Sequence, residues 1–244
     1  MTNSNQIVVI TGGSSGIGAA LVDFYIKKNS HVFSLDIADS KKGAEHIDCD
    51  VRDERSVADA MTKVRNDSRI IDVLIANAGV VPSWQSTAEI EVEDFRRVIE
   101  INLIGAVLTL KHGAPLMRSP GGSIVLTGSI NSWKGDPNLA SYVASKHGVL
   151  GLIKSAAMDL GPRGIRVNGV GPGPIATEAL TSRILRRHEN DESRAREYFE
   201  RLAQGTALKR IATVEEVIHA IDFLASPLSS GITGELINVD GGVL

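Results

Sequence analysis

The chain has 244 residues, 26 Lys+Arg against 29 Asp+Glu, and a single Cys, Cys49. That length allows one large domain or two small ones and buries about 70% of the unfolded surface without disulfides or metal. A formal net charge of −3 gives no bulk attraction to nucleic acid or an anionic membrane, a lone Cys excludes an internal disulfide, and no run of 18 apolar residues supports a membrane span. The first residues lack a basic region followed by a long apolar one, so no signal peptide and a cytoplasmic location are expected.

Short apolar runs alternate with helical segments along the chain. Ile7–Ile10 is a β-branched strand that stops at the Gly-rich Thr11–Gly18. Ile17, Ala20, Leu21, Phe24 and Tyr25 then fall at helical spacing. His31–Leu35 is a second strand, and a third lies around Ile47. Val51 to Val64 reads as a helix, Ile71–Ala76 as the fourth strand, and Glu93 to Met117 as one long helix. Ser123–Thr127 is the fifth strand. Leu139–Gly161 is helical and stops at the Gly161-Pro162 breaker. Ile165–Val170 and Leu236–Val239 complete about seven strands.

Strands that are apolar throughout are buried on both faces, and their alternation with helices points to βαβ units. The expected fold is α/β, a single Rossmann-type doubly wound parallel sheet with helices on both faces, spanning residues 1–244. One segment breaks the rhythm: Glu178–Arg210 carries eight Lys+Arg and six Asp+Glu. It reads as a solvated amphipathic lid within residues 178–212.

Thr11–Gly18 connects the first strand to the first helix. Such a turn presents free N–H groups and a positive dipole end, which suits a pyrophosphate. Gly12 allows a sharp turn, Gly16 a close approach of backbone to ligand, and Gly18 tight helix–strand packing. The second strand ends at Asp36, 18 residues after Gly18. A carboxylate there binds both adenosine ribose hydroxyls and repels a 2′-phosphate. No Lys or Arg stands at Ser14, Ser15 or Ile37, so NAD is expected over NADP.

Tyr142 and Lys146 are spaced i, i+4 on a helix and share a face. A free Tyr has a pKa near 10, so only about one in a thousand is ionised at pH 7, and making it a base costs about 4 kcal/mol. A nearby ammonium is the natural source of that energy. Ser129 lies 13 residues before Tyr142, just past the fifth strand, where a hydroxyl could polarise a substrate oxygen.

Together these features resemble the short-chain dehydrogenase/reductase family. The glycine turn, Asn77-Ala78-Gly79, Asn102, Ser129, Tyr142 with Lys146, Pro172-Gly173 with Thr177, and the tail Thr233-Gly234 and Asn238–Gly242 occur in its order and spacing. The resemblance implies a catalytic set of Asn102, Ser129, Tyr142 and Lys146. In that set Tyr142 takes the alcohol proton, Ser129 holds the substrate oxygen, Lys146 lowers the Tyr142 pKa and binds the nicotinamide ribose, and Asn102 supports a water.

The resemblance also implies that Gly12, Ser14, Ser15, Gly16, Ile17 and Gly18 cradle the phosphates. Asp36 with Ile37 would hold the ribose, and Asp50-Val51 would contact adenine. Asn77, Ala78 and Gly79 would line the cofactor, while Pro172, Gly173, Ile175 and Thr177 would grip the nicotinamide end. The family often has two Asn where this chain has Ala76-Asn77.

The implied function is NAD-dependent interconversion of a secondary alcohol and its ketone by a homotetramer acting on a small molecule. The rivals are a ketoreductase of the 3-oxoacyl thioester type and a non-catalytic NAD-binding protein. Trp133, in the loop leading to Tyr142, suggests an apolar or ring-bearing substrate, with Asn131 adding hydrogen bonds; Trp84 is a second aromatic candidate. Cys49 reads as a buried filler and Asp240 as structural or at a subunit contact. The six His are scattered without metal-ligand spacing, so no metal is expected.

Overall fold

The structure, a computed structural model, describes residues 6–39, 43–68, 70–187 and 189–243. Seven strands, β1 (Ile7–Thr11), β2 (His31–Asp36), β3 (Glu45–Asp48), β4 (Val73–Ala76), β5 (Ser123–Thr127), β6 (Arg166–Pro172) and β7 (Leu236–Val239), form one sheet in the order β3-β2-β1-β4-β5-β6-β7. Every neighbouring pair is parallel. The seven-strand α/β expectation therefore holds.

The apolar runs are buried because helices cover both faces. Successive side chains on β1 point to opposite sides. Val9 joins Val57 and Met61 of α2 (Glu54–Ser68), Leu108 of α4 (Gly105–Gly113) and Ile153 of α5 (Ala140–Leu160) in one core. Val8 and Ile10 join Leu21 and Val22 of α1 (Gly16–Lys27) and Val217 and Ile221 of α8 (Val214–Ala225) in the other. Chain order reverses between β1 and β4, which opens a crevice at the carboxyl ends of these two strands, the usual ligand position in such sheets.

The single helix expected over Glu93 to Met117 is not continuous. It is α3 (Val92–Ile99), a widened turn at Glu100–Ile104 where the Gly105 N–H bonds back to the Glu100 carbonyl, then α4 and a tight turn at Ala114–Leu116. Pro115 lacks the N–H an α-helix needs there. The wide turn is tied down by Asn102, as described below. Residues 178–212 contain α6 (Glu178–Arg187) and α7 (Glu192–Gln204). One helix, α8, lies outside the elements expected from the apolar pattern. Thr213 Oγ1 accepts from the Glu216 N–H while the Glu216 carboxylate accepts from the Thr213 N–H, a reciprocal cap that starts it.

Candidate active site

The glycine turn is fastened to the neighbouring strand ends by Asn77. Its Nδ2 donates to the carbonyls of Thr11 and Gly12 at 3.3 and 3.2 Å, and its Oδ1 accepts from Thr127 Oγ1 at 3.2 Å. Thr11 Oγ1 accepts from the N–H groups of Asn77 and Ala78. One amide thus joins the ends of β1, β4 and β5. Gly12 has φ +70°, and a Cβ there would stand 2.7 Å from Ala78 Cα. A Cβ on Gly18 would lie 1.8 Å from the Gly12 carbonyl oxygen. These two glycines close the turn.

Gly16 differs from them. Its φ is +52° and a Cβ would meet nothing within 4 Å, so its backbone is open to a ligand. Ser15 precedes α1 in extended conformation and makes no side-chain cap, leaving first-turn N–H groups for an anion. The cradle therefore fits the pyrophosphate of a dinucleotide.

At the end of β2, Asp36 is held by three donors. Its Oδ2 accepts from Ser14 N–H (3.0 Å) and Oγ (2.7 Å), and its Oδ1 from Ala38 N–H (3.1 Å). Ile37 is 71% exposed beside it. Asp50 grips the Arg52 guanidinium, which holds its carboxyl below the usual range. Val51 is buried under α4, where a Cβ on Gly105 would meet its Cγ2 at 2.9 Å. Cys49 is buried, and burial pushes its thiol up to about 11, which keeps it protonated.

Ser129, Tyr142, Lys146 and Asn102 converge beyond β5. Ser129 opens a short turn, its Oγ accepting from Asn131 N–H at 3.2 Å, and it hydrogen-bonds the Tyr142 side chain. Lys146 Nζ is buried, donates to the Thr127 carbonyl at 2.7 Å, and lies 5.7 Å from the Tyr142 ring centroid. A Cβ on Gly79 would be 3.3 Å from Asn102 Oδ1 and 3.7 Å from Lys146 Nζ, which puts these three side by side. Asn102 is committed to structure: Oδ1 accepts from Val80 N–H (2.7 Å) and Nδ2 donates to Val80 O (2.9 Å) and Ser145 Oγ (3.1 Å). Ser145 Oγ in turn donates to the Tyr142 carbonyl.

Burial dominates the electrostatics of both Tyr142 and Lys146. Burial raises the Tyr142 pKa, and the influences that lower it are the Ser129 hydrogen bond and the charge of Arg183 on α6. Lys146 is itself depressed to about 8, because burial disfavours its ammonium. Arg183, which the motif did not single out, adds a second positive charge near Tyr142.

At the end of β6, Pro172 O lies 3.5 Å from Ser129 Oγ. Gly173 packs on Asp240, where a Cβ would approach to 2.7 Å. Ile175 pairs with Ala212, and its carbonyl accepts from Thr177 N–H. Thr177 Oγ1 accepts from Leu180 N–H and so caps α6. Asn131 is buried and donates to the Lys134 carbonyl. Trp133 is 48% exposed, its Nε1 donates to Asn238 Oδ1, and it borders a hollow lined by Leu150, Lys154, Glu235 and Leu236. Trp84 carries over its ring the guanidinium of Arg183, whose charge acts on Tyr142.

Comparison with known proteins places this geometry. A family model described as enoyl-(acyl carrier protein) reductase matches residues 13–244. The chain is 38% identical to short-chain dehydrogenase reductase 3a of Arabidopsis thaliana, covering 97% of this chain and 94% of that protein. It is 36% identical to cis-4-hydroxycyclohexanecarboxylate dehydrogenase of Sinomonas cyclohexanicum, covering 98% and 96%. Among solved structures, ligand-free aldohexose dehydrogenase of Thermoplasma acidophilum matches with TM-score 0.93 and 33% identity, covering 98% of this chain and 94% of that one. With these matches the seven-strand sheet, the glycine turn and the Ser129–Tyr142–Lys146 group find one common explanation: the chain belongs to the short-chain dehydrogenase/reductase family.

Proposed function

We propose that the protein oxidises a secondary alcohol to its ketone with NAD. The observation that carries this reading is the meeting of Ser129, Tyr142 and Lys146 beside a cradle that fits a dinucleotide. The family uses a nicotinamide cofactor, which when bound supplies the hydride acceptor. Gly12, Ser14, Ser15, Gly16, Ile17 and Gly18 would hold its phosphates, and Asn77, Ala78 and Gly79 would line it. Pro172, Gly173, Ile175 and Thr177 would frame its nicotinamide end.

The substrate hydroxyl sits between Ser129 Oγ and the Tyr142 hydroxyl. Tyr142 accepts its proton, and positioned acid–base help of this kind contributes about 10²–10⁴-fold. Lys146 holds the nicotinamide ribose from its place on the Thr127 carbonyl. Asn102 acts as a positioning residue through Val80 and Ser145. Asp36 supports NAD, because its oriented carboxylate accepts ribose hydroxyls and opposes a 2′-phosphate, and exposed Ile37 offers that phosphate no cation.

The names of two relatives, a hydroxycyclohexanecarboxylate and an aldohexose dehydrogenase, support oxidation of a ring-bearing alcohol. A homotetramer in the cytoplasm remains our reading of the assembly. Met158 of α5 is 79% exposed, and Trp133 lies on the same side of the molecule as the α5–β7 edge, which suits a subunit contact better than a substrate contact. Among the described residues no helix is long and apolar enough to cross a membrane.

The reductive direction is a second reading, supported by the match of residues 13–244 to a family model described as an enoyl-(acyl carrier protein) reductase. One experiment tests both: initial rates over cyclic, aryl, polyol and hydroxy-acid alcohols with NAD and with NADP, beside ketone and 3-oxoacyl thioester reduction. Preference for NAD with alcohols is expected. Reduction by NADPH alone would replace the first reading with the second.

A further inference from the structure

Two arginines of the lid converge on one indole. The Arg183 guanidinium lies 4.1 Å from the Trp84 ring centroid, and Arg187, one turn later on α6, lies 4.5 Å from it. Arg187 and Arg201 both also lie 5.6 Å from the Tyr198 ring of α7. Stacking uses the guanidinium face and leaves its in-plane N–H fork free to donate. Arg183 Nε is buried and has no hydrogen-bond partner among the described residues. An unmatched buried donor on a charged group is costly and calls for an acceptor brought in from outside.

The surroundings say where that acceptor belongs. The Gln85 N–H beside Trp84 donates to the Asn138 carbonyl, joining this loop to the one that enters α5, and Tyr142 is in the first turn of α5. Arg183 is close enough to Tyr142 and Asp136 for its charge to act on both. Asp136, whose carboxyl is hydrogen-bonded by the Asn131 side chain, offsets one of the two arginine charges. Arg186 also acts on Arg183 and Lys134 on Asp136, so the pocket is net positive and suits an anion. A planar carboxylate also matches the guanidinium fork with two parallel hydrogen bonds.

We propose that Arg183, supported by Arg187 on the same Trp84 indole, binds a carboxylate of the substrate, so that the substrate is a hydroxy acid whose hydroxyl lies at Tyr142. This rests on the alcohol-dehydrogenase reading of the site. In it Trp84 keeps the guanidinium plane fixed, and α6 carries the group that selects the substrate while α5 carries the group that reacts with it.

The test is calorimetric binding to the full chain saturated with NADH. The probes are butanoate, cyclohexanecarboxylate and benzoate, each beside its neutral carboxamide. At least one carboxylate is expected to bind about tenfold or more tightly than its amide, the range of a charge-assisted pair. Arg183→Gln should erase that preference and Arg183→Lys restore part of it, with NADH affinity as the check that each variant is folded. No preference in any of the three pairs, or a preference that survives Arg183→Gln, overturns the proposal. Tyr142→Phe should keep carboxylate binding. A protein that binds carboxylates through Arg183 but oxidises no alcohol keeps this inference and loses the dehydrogenase reading. One that oxidises neutral alcohols without a carboxylate preference does the reverse.

Discussion

Around the glycine turn, side chains are spent on backbone. Asn77 bonds two carbonyls of the turn and the Thr127 hydroxyl, Thr11 takes two N–H groups, and Asp36 takes three donors. Across the lid the reverse holds. Helix α7 buries only Ala195 among its described residues, and Arg187 of α6 and Arg201 of α7 both lie over the Tyr198 ring of α7 while Arg183 lies over Trp84. The cofactor half is thus fixed by groups that cannot be exchanged without breaking a strand junction. The lid is held by contacts that can be remade around different ligands. On the proposed reading, the cofactor is met by a rigid turn and the Asp36 carboxylate, the substrate by side chains on a loosely packed excursion.

The sharpest break is at the line between the two halves. Tyr142→Phe removes the proton acceptor and leaves the cradle intact. Turnover should fall about 10³-fold or more, while NADH affinity, followed by fluorescence, changes little. Normal turnover in this variant would remove Tyr142 from the chemistry. Next in size is Gly18→Ala. Its methyl would need the space of the Gly12 carbonyl oxygen, 1.8 Å away, so the turn must open. Cofactor affinity should drop by about tenfold or more, with a lower thermal midpoint. Unchanged affinity would mean that the turn does not carry the phosphates.

Asp36→Ala tests the rigid half more gently. It removes the ribose acceptor and the charge that opposes a 2′-phosphate. The ratio of kcat/KM with NAD to that with NADP should fall about tenfold to a hundredfold. A ratio that does not move would transfer cofactor choice to another residue.

A pH effect separates burial from catalysis at Lys146. The unfolded chain holds this proton to about pH 10.4, the folded one only to about 8. Between these values the unfolded state binds more protons, so this group makes stability rise with pH. Denaturant titrations at pH 8, 9 and 10 should show that rise, and Lys146→Met should remove it. A slope that is the same in the variant would place its origin elsewhere.

Much of this was legible in residue order because the features are local. The ends of β5 and β7 coincide with the expected runs, and the apolar strands and the glycine turn announce themselves at short range. What the sequence could not announce is long-range. The break at Glu100–Ile104 depends on Asn102 reaching Val80, 22 positions away. Trp84 and Trp133 are alike in sequence, each in a loop after a strand, and only the packing of α6 over one and β7 beside the other separates them. Arg183 lay hidden in a charged run whose net charge is small, since its partner indole is a hundred residues upstream. Helix α8 was readable after all: Thr213 followed by Glu216 is a capping signature, though the short distance to Gly231 and Gly234 obscures it.

The smallest expected effect compares the same kind of bond in the two halves. Asp191 caps α7: the Ser193 hydroxyl donates to its Oδ1, as do the Ser193 and Arg194 N–H groups, and these bonds, the hydroxyl's above all, lower its pKa. Thr213 caps α8 in the reciprocal arrangement with Glu216. The Thr213 cap contributes about 1 kcal/mol. Helix α8 lays Val217, Ile221 and Leu224 into the core against α1 and the sheet, so Thr213→Ala should lower the global thermal midpoint by about 2–4 °C. Helix α7 has little core to share, so Asp191→Ala should leave that midpoint nearly unchanged and instead raise the rate of protease nicking within residues 178–210, since local opening there is separate from global unfolding. Equal midpoint shifts in the two variants would mean that the lid unfolds together with the sheet. Arg183 would then be fixed in place as firmly as the glycine turn, and substrate choice would rest on a rigid pocket.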